Sequence, residues 1–385
     1  MKKEIIISAL LTILSLAIAF GAGFYTHQLI LPPELDLPLL SQAQAIIEQH
    51  AYYPIPDEPA LEYGMIWGMI TALEDPHAIF VEPAQHELDA DNFAGAFGGI
   101  GTEVTMDADG KILLYPIVGS PAREAGLQDG DVLTAVDGIK ITPETGVQGA
   151  VALVRGEVGN KVGITVFRAS IQTELTFTIK RENFPLPSIT WRPLDQYPQV
   201  GLIDINLIAS STIEEINQAI EELQASGVEY FIIDLEGNGG GLLDAGIEIA
   251  EMFLADGEII TQQYQGSKPE VYKTKRPGPF ANLPLVILID HGTASASEII
   301  AGALQVNQRA LLIGSPSYGK NTIQLIFTLE DQSSIHVTSA VWWLADGSPG
   351  EAFKLIPDIP LDPVTGSYDQ ILQLAVDTLL RGATP

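Results

Sequence analysis

Between residues 200 and 313 short apolar runs alternate with amphipathic segments of helical period, and no other feature of the chain restricts its fold as strongly. Strands are expected at 200–205, 230–235, 285–289 and 310–313, and helices at 213–225, 242–253 and 297–306. Runs that are apolar at consecutive positions need cover on both faces, so the pattern calls for an α/β core around a largely buried sheet. After Gly319 the texture changes. Residues 322–327 and 334–339 read as antiparallel strands joined by a turn at Glu330 and Asp331.

Upstream, short strands punctuated by glycine begin at Phe97 and continue to Ile179, marking a compact β-rich unit. Residues 31–95 read as helical, with Pro54, Pro56 and Pro59 dividing two apolar-periodic segments and Pro76 stopping the second. Residues 184–193 contain Pro185, Pro187 and Pro193 and read as a linker. The first segment is different again. Lys2 and Lys3 precede residues 5–25, which carry no charge and are long enough to cross a bilayer. A retained single-pass anchor and a signal peptide cleaved near Ala17 and Ala19 both fit. Either would leave residues from about 30 onward outside the cytoplasm. The expected division is 1–30 anchor or signal, 31–95 helical region, 96–183 small β domain and 184–385 α/β core.

The chain carries 49 acidic against 19 basic residues, a net charge of -30 that disfavours a nucleic-acid partner. Absence of cysteine excludes disulfides, thiolate metal sites and a cysteine nucleophile. No motif calls for a metal or an organic cofactor.

Several short motifs suggest chemistry. Gly314-Ser315-Pro316-Ser317-Tyr318-Gly319-Lys320 has the spacing of a phosphate loop, but Asn321 stands where a magnesium-binding hydroxyl belongs and a strand follows where a helix is required. Gly237, Gly239, Gly240 and Gly241 lie between a strand and a helix, yet Leu242 replaces the third glycine of a dinucleotide fingerprint. Ser317-x-x-Lys320 spells a serine-lysine motif that belongs on a helix, which Pro316 and Gly319 oppose. Ser295 follows an apolar strand at the entrance to a helix, a setting that exposes a hydroxyl near free backbone amides. Ser295-x-x-Glu298 also has capping-box spacing, so helix capping and nucleophile both stand as readings of that serine. None of the six histidines sits in a glycine-framed signature. Lys320, between a glycine and an apolar strand, could serve as base if burial kept it neutral. Gly99, Ile100 and Gly101 open the β-rich unit and could present amides to a peptide carboxylate beside a strand edge.

Taken in order, these pieces resemble the carboxyl-terminal processing peptidases, or tail-specific proteases. The matching residues are Gly68, Met69, Leu73, Asp75 and Pro76 in the lead-in, and Phe97, Gly99, Ile100 and Gly101 at the start of a PDZ domain. Gly119-Ser120-Pro121-Ala122, Gly130-Asp131-Val132, Val136-Asp137-Gly138, Arg155-Gly156 and Arg168 match the rest of that domain. The resemblance implies Ser295 as nucleophile, Glu298 as support, and Lys320, 25 positions later, as general base. It further implies Gln324 beside the lysine, and an oxyanion hole from the amides of Ala296 and of Gly240 or Gly241. Two departures stand out. The family usually has Asp-Leu-Arg-x-Asn-Pro-Gly-Gly, whereas here Glu236 replaces the arginine and Gly239 the proline.

By resemblance the core is ClpP/crotonase-like, with a PDZ domain inserted and a helical segment in front. The implied activity is endoproteolysis near the carboxyl terminus of exported or membrane-associated proteins, the PDZ domain capturing an apolar free C-terminus. Neither a cofactor nor nucleic acid is implied, the membrane is reached through the N-terminal segment, and an oligomer is compatible. A catalytically weak PDZ scaffold that only binds peptides is the alternative.

Overall fold

The computed structural model describes residues 37–56, 58–349, 353–361 and 368–382. The charge-free stretch 5–25 lies outside the described residues. Among the described residues no helix is long and apolar enough to cross a membrane. Two compact units divide between Ile66 and Trp67. The first contains α1 (Pro38–His50) and the start of α2 (Glu58–Ala72).

The second unit continues with β1 (Ile79–Val81) and α3 (Pro83–Ala94), then β2 (Ala96–Gly99), β3 (Thr102–Met106) and β4 (Ile112–Pro116). After α4 (Pro121–Glu124) come β5 (Asp131–Val136), β6 (Ile139–Lys140), α5 (Gly146–Val154), β7 (Lys161–Arg168) and β8 (Thr173–Lys180). Strands β3-β4-β5-β7-β8 form an antiparallel sheet with β6 attached to β5. Its core is Ile112, Leu114, Val162, Ile164 and Val166, closed by Ala150 and Val154 of α5. Arg168 holds buried Asp131 through two hydrogen bonds of 2.8 and 2.7 Å, a bidentate pair that pins β7 to β5. A separate ribbon pairs β2 with β9 (Glu182–Pro185).

The larger sheet follows. It contains β10 (Ile189–Leu194), β11 (Tyr197–Ile205), α6 (Thr212–Ala225), β12 (Tyr230–Asp234) and α7 (Leu243–Phe253) in the first half. After β13 (Glu258–Tyr264) and β14 (Glu270–Lys273) come β15 (Leu285–Ile289), α8 (Ala296–Val306) and β16 (Leu311–Gly314). The chain then forms β17 (Thr322–Thr328), β18 (Ser334–Trp343), β19 (Ile359–Pro360) and α9 (Tyr368–Leu380). Sheet order is β10-β11-β12-β15-β16-β19, parallel except for β10. Two-sided burial explains the unbroken apolar runs. Leu285, Ile287 and Ile289 face a core shared with α6, α7 and α8, while Val286 and Leu288 face one shared with α9. A second sheet pairs β18 with β1, β13 and β17, all antiparallel.

The helix–strand alternation from 200 to 313 and the hairpin after Gly319 are therefore present. Three readings change. Residues 184–193 are not a linker, because β10 adds to the sheet edge with Ile189 and Leu194 buried. An edge position tolerates Pro193, whose missing donor can face away from the ladder. The region 31–95 is not wholly helical, since β1 pairs with Ser334–His336. Strands β13 and β14, rich in Gln, Glu and Tyr, carry a weak apolar signal and were not anticipated. Replacing fully buried Ile287 with Ala should cost about 2–5 kcal/mol. Urea unfolding should then give a lower midpoint with an unchanged slope.

Candidate active site

Strand β15 delivers the chain to a tight loop, and Ser295 ends that loop with φ 54° and ψ -119° at the N-cap of α8. A non-glycine residue in that region is strained by about 1–3 kcal/mol and persists only when its surroundings fix it. Here the restraints are explicit. The hydroxyl of buried Thr293 donates to the Leu235 carbonyl at 2.7 Å. Asp290 Oδ1 accepts from the amides of Gly237 (2.7 Å), Gly292 (2.9 Å) and Thr293 (3.1 Å). Ala294 donates its amide to the Asn238 carbonyl at 2.9 Å.

Glu298, on the first turn of α8 and fully buried, joins two loops. Its Oε2 accepts from the backbone amides of Ser295 (2.8 Å) and Lys320 (2.9 Å). Its Oε1 accepts from the Ser317 hydroxyl (2.6 Å) and the Gly319 amide (2.7 Å). The capping box expected of Ser295-x-x-Glu298 is present, and the same carboxylate fixes the lysine loop. Burial pushes the Glu298 pKa up, opposed by those four donors. Ser317 lies in a loop; besides donating to Glu298 it accepts the Leu355 amide at 2.9 Å. The run after Gly319 enters β17, not a helix, as the phosphate-loop argument required.

Lys320 Nζ donates to Gln324 Oε1 at 2.6 Å, and Gln324 Nε2 donates to the His77 carbonyl. Burial lowers the Lys320 pKa from its ordinary value, partly offset by the negative charges of Asp75 and Glu298. Ser295, Lys320, Gln324, Gly240 and Gly241 line one cavity of about 420 Å³, walled by Phe93, Leu242, Ile323 and Trp342 among others. His336 also lines it, whereas His291 is 84% exposed beside Asp290.

The glycine loop packs directly on the serine. A Cβ at Gly240 would lie 2.9 Å from Ser295 Cβ and 3.0 Å from the Ala296 nitrogen, so only glycine permits this approach. Asn238, buried, organises the loop: its Nδ2 donates to the Ile205 carbonyl at 2.5 Å and its Oδ1 accepts the Gly240 amide at 2.8 Å. The Ile208 amide donates to the Gly240 carbonyl and the Leu242 amide to the Ile208 carbonyl, at 3.0 and 2.8 Å. Gly239 has open space around it.

Four acids crowd the carboxyl ends of the parallel strands next to this loop. Asp204 and Asp234 are register partners on β11 and β12, Asp290 follows β15, and Glu236 follows β12. Burial and then mutual repulsion raise Glu236 to about 7. Burial raises Asp234 to about 6, against hydrogen bonds from the Glu236 amide and from the Tyr368 hydroxyl of α9 at 2.9 Å. Among the described residues no such group is arranged to hold a metal ion.

Comparison with known proteins bears on this constellation directly. The model of peptidase family S41 matches residues 199–361, and a PDZ domain model matches 114–168. A carboxyl-terminal-processing protease of Synechocystis is 33% identical over 332 residues, covering 83% of this chain and 77% of that protein. The chain belongs to the carboxyl-terminal-processing proteases. The carboxy-terminal processing protease CtpA of Bacillus subtilis is 35% identical over 298 residues, covering 77% of this chain, which spans 63% of that protein's length. Among solved structures, the photosystem II D1 C-terminal processing protease is similar at 26% identity, with a TM-score of 0.47, covering 87% of this chain and 90% of the other.

Against that family pattern, the fold brings the expected serine, lysine, glutamine and glycines to one cavity. Ala296 opens α8 immediately after the serine, and Glu298 sits behind both loops. Gly99, Ile100 and Gly101 lie elsewhere, at the passage from β2 to β3, with the Ile100 carbonyl accepting the Ala122 amide at 2.8 Å. Sequence reasoning missed Asn238, Thr293 and Ser317 as framework residues, and it gave Asp75 and His77 no part in the site. Asn238 stood within the quoted glycine motif and was the one that spacing could have found.

The acid cluster carries a signed prediction. Glu236 holds its proton in the folded protein up to about pH 7 but only to about 4.5 when ordinary, so folding loses stability as pH rises through that window. Glu236→Gln, a mimic of the protonated acid, should match the parent's Tm near pH 4.5 and exceed it progressively toward pH 8. An equal Tm difference at both pH values would contradict the assignment.

Proposed function

We propose that this chain is a serine endopeptidase that cuts near the carboxyl terminus of exported or membrane-associated proteins, through a Ser295–Lys320 dyad. One observation carries the reading: Ser295 and Lys320 face a common cavity while a single buried carboxylate, Glu298, holds the backbone of both. Membership of the family supports it.

In this mechanism Lys320, neutral through burial, takes the Ser295 proton as Oγ attacks the scissile carbonyl. The Ala296 amide opens α8, where the first amides of a helix lack intrahelical acceptors, and faces the developing oxyanion. Of the two glycines, Gly240 spends its amide on Asn238, which favours Gly241 as the second donor. Lys320 then returns the proton to the leaving amine, and water releases the acyl group from Ser295 by the same base. Gln324 keeps Nζ aimed, and the apolar cavity wall favours apolar side chains near the cleavage point.

Substrate capture falls to the PDZ domain, within the expected limits 96–183. Strand β3 is an edge of its sheet and neighbours α5, a geometry suited to adding an extended peptide strand, with Gly99, Ile100 and Gly101 beside the incoming carboxylate. Gly101 has φ 69° and no room for a side chain against Ser120 and Phe184. Residues 5–25 supply the anchor or the signal, so the peptidase works outside the cytoplasm. A reporter fused after residue 60 should accordingly respond as extracytoplasmic, and protection of the C-terminal region from protease in intact spheroplasts would refute export.

The dyad is tested with a substrate bearing an apolar tail. Ser295→Ala, Lys320→Ala and Lys320→Arg should each abolish turnover, the last because guanidinium does not deprotonate in a protein. Ser295→Ala should still bind the tail. Ser317→Ala should lower kcat without abolishing it, because Glu298 loses one of four donors. Histidine variants at 291 and 336 should lower activity modestly at most. A folded K320R enzyme with near-native kcat/KM, or an S317A enzyme as dead as S295A, would overturn the dyad.

A further inference from the structure

We propose that Asp75 is a positioning residue for the catalytic base: the turn it closes aims the His77 carbonyl at Gln324, which in turn fixes Lys320 Nζ. The inference rests on the Ser295–Lys320 reading and adds a component from a distant part of the chain. Asp75 Oδ1 accepts the His77 amide at 2.9 Å, and its carbonyl accepts the Ala78 amide at 3.3 Å. Pro76, between them, restricts the backbone of the turn. The turn therefore presents the His77 carbonyl outward, and Gln324 Nε2 donates to it. Bound in this way, the Gln324 amide can turn only its oxygen toward Lys320, and that oxygen accepts from Nζ at 2.6 Å. Reversing the amide would set an N–H₂ against the lysine and an oxygen against a carbonyl, so the His77 carbonyl decides the orientation of the glutamine.

The turn is anchored from the other side as well. The Asp75 carboxyl faces Thr338 of β18, and Thr338 is the register partner of Gln324 across the hairpin. Four residues beyond Asp75, β1 begins to pair Ile79, Phe80 and Val81 with His336, Ile335 and Ser334 of the same strand. A lead-in segment some 240 positions away in sequence thus forms one outer wall of the base's surroundings. A carboxylate supplies the acceptor that closes the turn, and its negative charge raises the Lys320 pKa against the lowering by burial. Other charged or titratable groups facing this region are Glu298 of α8, which accepts the Lys320 amide, and His336 of β18, with His86 and Asp89 of α3 beyond it.

Two substitutions separate positioning from a purely architectural turn. Asp75→Asn keeps an oxygen for the His77 amide and removes the charge, while Asp75→Ala removes both. With D75N, the ammonium loses a stabilising neighbour, so the acidic limb of kcat/KM should move to lower pH, by about half a unit to one unit. With D75A, kcat should fall about tenfold or more with KM unchanged, and Gln324→Ala should do the same. The D75A/Q324A double variant should be no slower than the slower single variant, because both act through one chain of contacts. Stopped-assay pH profiles on the full chain, with circular dichroism of each variant, provide the readings. An unmoved acidic limb in folded D75N, or additive losses in the double variant, would overturn the proposal while S295A and K320A stay inactive. Activity remaining in S295A or K320A would instead remove the dyad on which it rests.

Discussion

One buried carboxylate organises the candidate site. Glu298 accepts four hydrogen bonds, two from the loop containing Ser317 and Gly319, one from the amide of Lys320 and one from the amide of Ser295. Burial of an ionised carboxylate is expensive unless its lone pairs are satisfied, and four donors suit that capacity well. The arrangement turns an energetic liability into a geometric constraint. Neither loop can shift without uncovering the charge, so Ser295 and Lys320 stay in register although they belong to different elements. Loss of the acceptor would leave three backbone amides and a hydroxyl unpaired in the interior.

Strain is concentrated where this constraint is strongest. Ser295 holds a left-handed backbone, and Gly240 packs against its Cβ without room for a side chain. Asn238 is the counterweight: it reaches the end of β11, receives the Ala294 amide on its carbonyl and holds the Gly240 amide on its side chain. The parallel sheet explains why these residues meet. Strands β11, β12 and β15 are adjacent and run the same way, so the loops after them gather at one edge, the side of such sheets where ligands bind.

The side chains gathered at the candidate site were legible in the sequence, because their identity and spacing are themselves the signal. Ser295, Glu298, Lys320 and Gln324 could be read together although no one of them is distinctive alone. The alternation of apolar runs also fixed the α/β core, since two-sided burial leaves no polar positions to blur the period. What escaped was held by backbone groups. The His77 carbonyl and the Asn238 carbonyl have no side-chain signature, and Asp75 acts through the turn it closes. Proline misled at 184–193, where an edge strand accommodates a residue that a central strand would reject.

The two departures from the family pattern fall in one loop, between β12 and α7. The family pattern has an arginine at position 236, a permanent cation. This chain instead adds Glu236, a fourth acid, with Tyr368 donating to Asp234 from α9. Burial and repulsion then favour proton uptake, with Glu236 titrating at about 7 and Asp234 at about 6. Gly239 adds backbone freedom where proline would remove it. The serine loop is tied to this same edge, where Asp290 gathers three amides, that of Gly237 among them, and Thr293 reaches the Leu235 carbonyl. Ser295 is thus held from two sides, by the acid edge of the sheet and by Glu298.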